Sequence, residues 1–323
     1  MGSALRGRSR LSLPWATFAR ALLQATRPHY FPLPAGACLA GAAATAGSTL
    51  TTSVLVAAAA AGLGWGVGQL LNDLMDAESD ALNAPARPAV RGLLPEGPTM
   101  AAALGLGLLV AAATVAIHPR GWLLALVAAV LLAGYGLAKP WPVAGNLAHG
   151  ALIAVAAAIG AAAAAPEQSL AAVVSRTWPT CALAGAWSAI YLEANYEKDR
   201  RGDARAGCRT LAHVVGLRLS ASLRMVGAVG VGIGVTTSTP PTGPIVTGAL
   251  TVAVGLVVLS AALVMRGADE QSAHRSYRIA VHGAAIGMLA MAGPMLGGLL
   301  TPVAMAASVG LTERAFRADG RAP

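Results

Sequence analysis

The chain has 323 residues, of which 56% are hydrophobic and only 11% charged, and its formal net charge is +9. A soluble domain averages about 25% charged residues, so this composition excludes an ordinary soluble globule, a disordered chain, a collagen-like repeat and a disulfide framework. What remains is an all-α, polytopic membrane protein, whose basic residues set topology rather than bind nucleic acid.

In chain order, residues 1–28 read as a cytoplasmic N-terminal segment. The stretch 11–25 follows Arg6, Arg8 and Arg10, but Arg20 interrupts its apolar run, which argues against a signal peptide. Trp15, Phe18, Leu22 and Leu23 share one helical face there, which predicts an interfacial amphipathic helix. Residues 29–310 form the transmembrane domain, and 311–323 a polar tail. A helix needs about 20 apolar residues to cross a bilayer. The charge-free runs predict about nine spans, near 29–47, 52–72, 99–117, 121–138, 145–165, 177–194, 219–236, 244–265 and 281–305, around a central cavity. The run between Arg278 and Glu313 reads as one long span. Placing the N-terminus inside puts most of the 23 basic residues on the cytoplasmic side, and only the tail with Arg314, Arg317 and Arg321 fits badly. The expected location is the cell membrane, in contact with its lipids.

Two segments break the apolar monotony. One contains Asn72, Asp73, Asp76, Glu78 and Asp80; the other contains Asn195, Glu197, Lys198, Asp199, Arg201 and Asp203. Both carry Asn, then Asp four residues on, then Asp four residues further. Each follows an even-numbered span on the predicted cytoplasmic side, and basic residues come next: Arg87 and Arg91, or Arg205 and Arg209. The result is a pseudo-repeat of helix, acidic loop and helix, offset by 123 residues. Positions i, i+4 and i+8 share one helix face, about 6 Å apart per step. Asn72, Asp76 and Asp80 thus form one column of oxygen ligands, and Asn195, Asp199 and Asp203 a second. Asp73 lies off the column but near enough to be a further ligand, whereas Glu78 reads as solvated. Hard oxygens at this density suit Mg²⁺, with Mn²⁺ as a substitute, held together with substrate phosphates. Among these, Asp76 and Asp199 are the candidate catalytic carboxylates.

At this point the chain resembles a family. Asn72-Asp73-x-x-Asp76-x-x-x-Asp80, followed by Asn83, Pro85, Arg87 and Pro88, resembles the first aspartate-rich motif of the UbiA-type intramembrane prenyltransferases. Asp199-x-x-x-Asp203, running on through Arg205, Gly207, Arg209, Thr210 and Leu211, resembles the second. Weaker matches are Arg27-Pro28 before the first span, and Tyr135, Lys139, Gly145, Asn146 and Gly150 between the fourth and fifth. The resemblance implies nine helices around a cavity capped by Mg²⁺. It also implies transfer of a prenyl group from a prenyl diphosphate to an aromatic or lipid acceptor. Many members carry an acidic residue two places before the final Asp of the second motif. Here that residue is Arg201, with Glu197 offering a carboxylate earlier instead, which puts the second metal's ligand set in question.

Positioned cations stabilise the charge that grows on a departing diphosphate; Arg87, Lys139 and Lys198 are the candidates. Arg27, Tyr135, Asn146, Tyr191 and Tyr196 are candidates for the cavity lining, where aromatic faces would stabilise an allylic cation. Tyrosines anchored at the membrane interface are an equally good reading of the same residues. The six histidines form no ligand spacing, and His149 alone falls near the proposed pocket. Cys38, Cys181 and Cys208 read as small apolar fillers. A terpene cyclase of the same family would use the same site without an acceptor. A CDP-alcohol phosphotransferase would need an Asp-Gly-x-x-Ala-Arg run, which is absent. A cation-coupled transporter would need an ionisable group in a span core, and on this reading every predicted span core lacks one.

Overall fold

The computed structural model describes residues 13–47, 49–238 and 243–318. Arg6, Arg8, Arg10, Leu11, Arg321 and the side chain of Glu78 lie outside the described residues. Helix α1 (Trp15–Ala25) leads through a short 3₁₀ turn (Pro28–Tyr30) into α2 (Pro32–Ala46). There follow α3 (Thr52–Met75), α4 (Ala77–Asn83), α5 (Glu96–Ile117), α6 (Gly121–Ala138), α7 (Ala144–Ala164) and α8 (Leu170–Arg205). The last four are α9 (Leu211–Ser238), α10 (Pro244–Gly267), α11 (Glu270–Met291) and α12 (Gly293–Ala318). The described residues contain no strand. Among the described residues, seven helices, α3, α5, α6, α7, α9, α10 and α12, are long and apolar enough to cross a membrane.

Helix α1 lies against the start of the bundle. Phe18, Ala21 and Ala25 pack on Leu70, Leu94 and Ala103, while Trp15 and Leu23 of the predicted face stay exposed. The bundle core is made largely of alanine and glycine, which lets backbones come very close. Helices α2 and α7 show this best. A methyl group at Gly41 would run into the carbonyl of Ala157, and one at Gly160 into the carbonyl of Cys38. The three cysteines are free and buried, as fillers should be.

The structure corrects two sequence expectations. The last apolar run is two helices, not one span over 281–305. The backbone stays near-helical past Met291, with the Ala292 N–H on the Met288 carbonyl and the Leu296 N–H on the Ala292 carbonyl (3.1 Å each), and the sharp break comes at Gly297 inside α12, whose φ of 74 favours glycine. Helix α12 folds back along the bundle: Glu313 pairs with Arg278 of α11 and accepts a hydrogen bond from His282 (2.7 Å), and Phe316 lies 6.5 Å from His29. The basic tail residues Arg314 and Arg317 therefore lie at the same end as both aspartate segments, which removes the misfit in the charge pattern. Second, the acidic segments are not loops. Helix α3 runs on to Met75, and α4 takes over at Ala77, with Asp76 N–H still bonded to the Asn72 carbonyl (2.8 Å). Helix α8 continues unbroken through Asp203 to Arg205.

Candidate active site

A cavity of about 550 Å³ runs down the bundle from the end that carries the aspartates. Its mouth is polar. Asn72, Asp76 and Asp80 line one wall, and Asn195, Asp199 and Asp203 line the opposite one. The unbroken i→i+4 hydrogen bonding across Asp76 keeps the first column in line, and the continuous α8 keeps the second. Asn83 of α4 locks the walls together: its amide donates to the Asp199 carbonyl (3.1 Å) and its oxygen accepts from the Gly202 N–H (3.1 Å). Only glycine allows that approach, because a Cβ at position 202 would overlap the Asn83 amide.

Every column carboxylate at the mouth faces a cation. Lys139 Nζ donates to Asp76 Oδ2 at 2.5 Å and lies 3.9 Å from Asp203. Arg87 pairs with Asp80, and Lys198 Nζ donates to Asp199 Oδ1 at 2.6 Å. Burial raises the pKa of the Asp80 carboxyl, and Arg87 pulls it back down only in part. Burial works against the charge on Arg87 and on Lys139, but the facing aspartates outweigh it and hold both pKa values above the ordinary range. Asp203 Oδ2 is buried with no hydrogen-bond partner. Such an oxygen is costly unless something binds it. An orphaned carboxylate oxygen between two columns of hard oxygen donors suits a divalent cation.

Other candidates fall in different places. Arg27, Arg87, Lys139, Tyr135, Tyr191 and Tyr196 line the cavity. Arg27 takes a left-handed backbone conformation (φ 50), which costs a non-glycine residue about 1–3 kcal/mol. That turn aims its guanidinium at Gln69 and Asp73. Asp73 Oδ1 is held by Arg27, with Arg87 3.7 Å away, while its Oδ2 is buried with no hydrogen-bond partner; the residue lies outside the lining, only 1% exposed. Lys198 also lies off the lining, with its ammonium 4.6 Å above the Tyr277 ring. Asn146 is behind the wall, where its amide donates to the Ala189 carbonyl and to Glu193 (3.1 Å each).

Glu197 is corrected outright as a stand-in for the missing acidic ligand. It points away from the cavity and forms a fully buried ion pair with Arg224 of α9 (2.9 Å). Ser220 Oγ lies between Glu193 (2.6 Å) and Glu197 (2.9 Å), its one proton shared by the two, and Arg224 also donates to Ser260 and Ser276. The expectation that the bundle interior lacks ionisable groups fails here too. The signal was present as a second i, i+4 pair on α8, Glu193 and Glu197, on the face opposite the aspartate column.

Deeper in, the cavity turns aromatic and then apolar. All five tyrosines of the chain, Tyr30, Tyr135, Tyr191, Tyr196 and Tyr277, line it, together with Trp65 and His149. That convergence disfavours the interface-anchor reading. The Tyr30 and Tyr277 hydroxyls are 2.5 Å apart, Tyr191 and Tyr277 3.3 Å, and Tyr135 and Tyr196 3.1 Å. Sequence reasoning missed Tyr30, Trp65 and Tyr277, which come from three separate helical segments and share no spacing. Below this belt the walls are alanine, leucine and glycine of α3, α5, α6 and α7. Leu104 and Leu108 of α5 line this part yet remain 60% and 72% exposed, which marks where the cavity approaches the bundle surface.

Comparison with known proteins places this architecture. The family model for the UbiA prenyltransferase family matches residues 34–284. No curated protein sequence matches the chain. Among solved structures, the apo form of a UbiA homologue from Aeropyrum pernix K1 is similar over 88% of this chain and 98% of its own, with a TM-score of 0.69 and 18% identity. A UbiA homologue from Archaeoglobus fulgidus bound to DMAPP and Mg²⁺ is similar over 92% and 99%, with a TM-score of 0.58 and 14% identity. A digeranylgeranylglyceryl phosphate synthase is similar over 85% and 97%, with a TM-score of 0.59 and 17% identity. Likeness at these identities speaks to the fold.

Proposed function

The chain belongs to the UbiA prenyltransferase family, and from that footing we propose that it transfers a prenyl group from a prenyl diphosphate to an aromatic or lipid acceptor inside the membrane, releasing diphosphate. The carrying observation is the cavity's polarity gradient: two facing columns of Asn and Asp at a cationic mouth, an aromatic belt below them, and an apolar floor.

Bound Mg²⁺ would neutralise the charge that grows on the diphosphate as the C–O bond breaks. Asp76, Asp80, Asp199 and Asp203, with Asn72 and Asn195, would hold it. Arg87 and Lys139 now close the mouth by pairing with these carboxylates, and would turn to the diphosphate oxygens once the carboxylates are engaged. Asp73 and Lys198 act one layer out, Asp73 by fixing Arg27 and Lys198 by fixing Asp199. The tyrosine belt would face the allylic carbon, where aromatic rings stabilise cationic charge and exclude the water that would quench it. The alanine- and leucine-lined floor would take the prenyl tail. We place the aspartate end in the cytoplasm of a cell membrane, on the strength of the basic residues gathered there.

The test is to incubate membranes holding the protein with radiolabelled prenyl diphosphates of several lengths and a panel of acceptors. The expected result is acceptor-dependent product that disappears with EDTA and returns with Mg²⁺ or Mn²⁺. Rapid diphosphate release without any acceptor, giving a cyclic product, would overturn the transferase reading in favour of a cyclase.

A further inference from the structure

We propose that the aromatic belt is the acceptor subsite for a neutral phenolic ring, with Trp65 holding the phenol oxygen and His149 taking the proton that the phenol loses on prenylation. This rests on the reading above, in which the mouth of the cavity holds a prenyl diphosphate.

Position comes first. Trp65 lies seven residues before Asn72 on α3, and Ser188 seven before Asn195 on α8. At the rise of a helix, both sit about 10 Å below the ligand columns. His149 of α7 reaches the same level: its Nε2 is 2.9 Å from Ser188 Oγ, and its ring meets Trp65 edge-on at 5.4 Å between centroids. Tyr135 is 6.4 Å away. Both Trp65 and His149 line the cavity. An acceptor at this level would stand directly beneath the reacting carbon of a donor whose diphosphate occupies the mouth.

Two atoms at this level are unspent. Trp65 Nε1 is buried with no hydrogen-bond partner. Buried indole N–H groups usually find one, and here the open side is the cavity. His149 bonds through Nε2 to Ser188, which leaves Nδ1 with no hydrogen bond to any described residue. With Nε2–H donating to Ser188 Oγ, Nδ1 presents its lone pair, as a proton acceptor must. The tyrosine hydroxyls bond among themselves, Tyr30 and Tyr191 to Tyr277 and Tyr135 to Tyr196, and at the mouth Asp76, Asp80 and Asp199 are held by cations.

The chemistry selects the acceptor. Arg87 and Lys139 belong to the mouth and Arg27 is held above the belt by Gln69 and Asp73, so an acceptor that carried a charge below Arg27 would bury it unpaired. A flat ring fits between the faces of Trp65 and the tyrosines. A phenol, with a pKa of about 10 like that of tyrosine, gives up its proton far more readily than an aliphatic alcohol does. The step balances as follows. The C1–O bond of the donor breaks and its electron pair leaves with the diphosphate. An electron pair of the phenol, from a ring carbon or the oxygen, forms the new bond to C1, and the phenolic proton passes to His149 Nδ1. After attack by a ring carbon, the ring proton there moves to the oxygen and restores the phenol.

The experiment uses purified full-length protein in lipid nanodiscs with Mg²⁺, a prenyl diphosphate donor and para-substituted phenols graded in acidity. Wild type should turn over neutral phenols with a shallow dependence on their acidity. H149A should lose at least about a hundredfold in turnover, depend steeply on phenol acidity, and regain activity with added imidazole, while binding a non-hydrolysable prenyl thiolodiphosphate as wild type does. W65F should raise the acceptor KM about tenfold and leave kcat near normal. H149Q, which can still reach Ser188, guards against a folding defect and should behave as H149A without imidazole rescue. H149A and H149Q turning over within a few-fold of wild type, or keeping its shallow acidity dependence, would overturn the proposal and leave the transferase reading standing. Wild type that consumes no prenyl diphosphate with any acceptor would overturn both.

Discussion

The two aspartate segments carry the same Asn–Asp–Asp spacing, yet they are built differently. The first straddles a joint: α3 ends at Met75, α4 begins at Ala77, and Asp73, Asp76 and Asp80 each answer to a different cation, Arg27, Lys139 and Arg87. The second lies on one unbroken helix, α8, backed by the buried Glu197–Arg224 pair and its serines. A jointed wall held by ion pairs at the mouth can shift as a ligand displaces those pairs. A continuous helix pinned from behind gives it something fixed to close against. The comparison suggests that the first column adapts and the second sets the geometry.

The largest expected effects strike both walls alike. Asp76→Asn and Asp199→Asn each remove one anionic oxygen donor with little change in shape, and each should cut turnover at least about a hundredfold, by analogy with the ~3 kcal/mol lost with one charge-stabilising group. Near-normal activity in both, measured with saturating Mg²⁺, would break the two-column site itself. The rigid wall should differ from the jointed one in stability. Arg224→Met leaves Glu197 charged and buried without its partner, at a cost of about 3–5 kcal/mol. Adding Glu197→Leu should recover most of that, because a buried pair replaced by apolar groups is often neutral. Thermal unfolding of the single and double variants checks this, and a double variant as unstable as the single would mean that the pair is not the brace. Asn83→Ala then tests the link between the walls. It removes two hydrogen bonds, worth about 1–3 kcal/mol together, and should raise the Mg²⁺ concentration needed for half-maximal activity while lowering the unfolding temperature less than Arg224→Met does.

Much of this was legible in the sequence because polar residues stand out in an apolar chain. The charge-free runs gave the helical bundle, and the period of four gave the columns. Other features were hidden for physical reasons. Arg224 looks like any basic residue at the end of a span; only the fold brings Glu197, Ser220, Ser260 and Ser276 around it. The break that ends the last span was hidden because Gly297 sits within an apolar run, and membrane helices tolerate glycine. The aromatic belt was hidden because Tyr30, Trp65 and Tyr277 are scattered along the chain, and convergence of distant residues has no local signature.

The smallest effect is expected at Arg201, where the chain departs from the pattern it otherwise resembles. If an acidic residue at that place were required as a ligand, this wall would be defective. The structure turns position 201 away from the cavity: the Arg201 side chain is 81% exposed and pairs with a half-exposed Glu270 of α11 at 2.6 Å. An exposed pair of this kind is worth about 0–1 kcal/mol, and the second column is already complete with Asn195, Asp199 and Asp203 on the cavity face. Arg201→Ala should therefore leave turnover and Mg²⁺ dependence within a few-fold of wild type, and should change the unfolding temperature far less than Arg224→Met. A large loss of activity in Arg201→Ala, with the unfolding temperature unchanged, would mean that this end of α8 moves on binding and carries residue 201 into the site. The wall described here as fixed would then be the one that adapts.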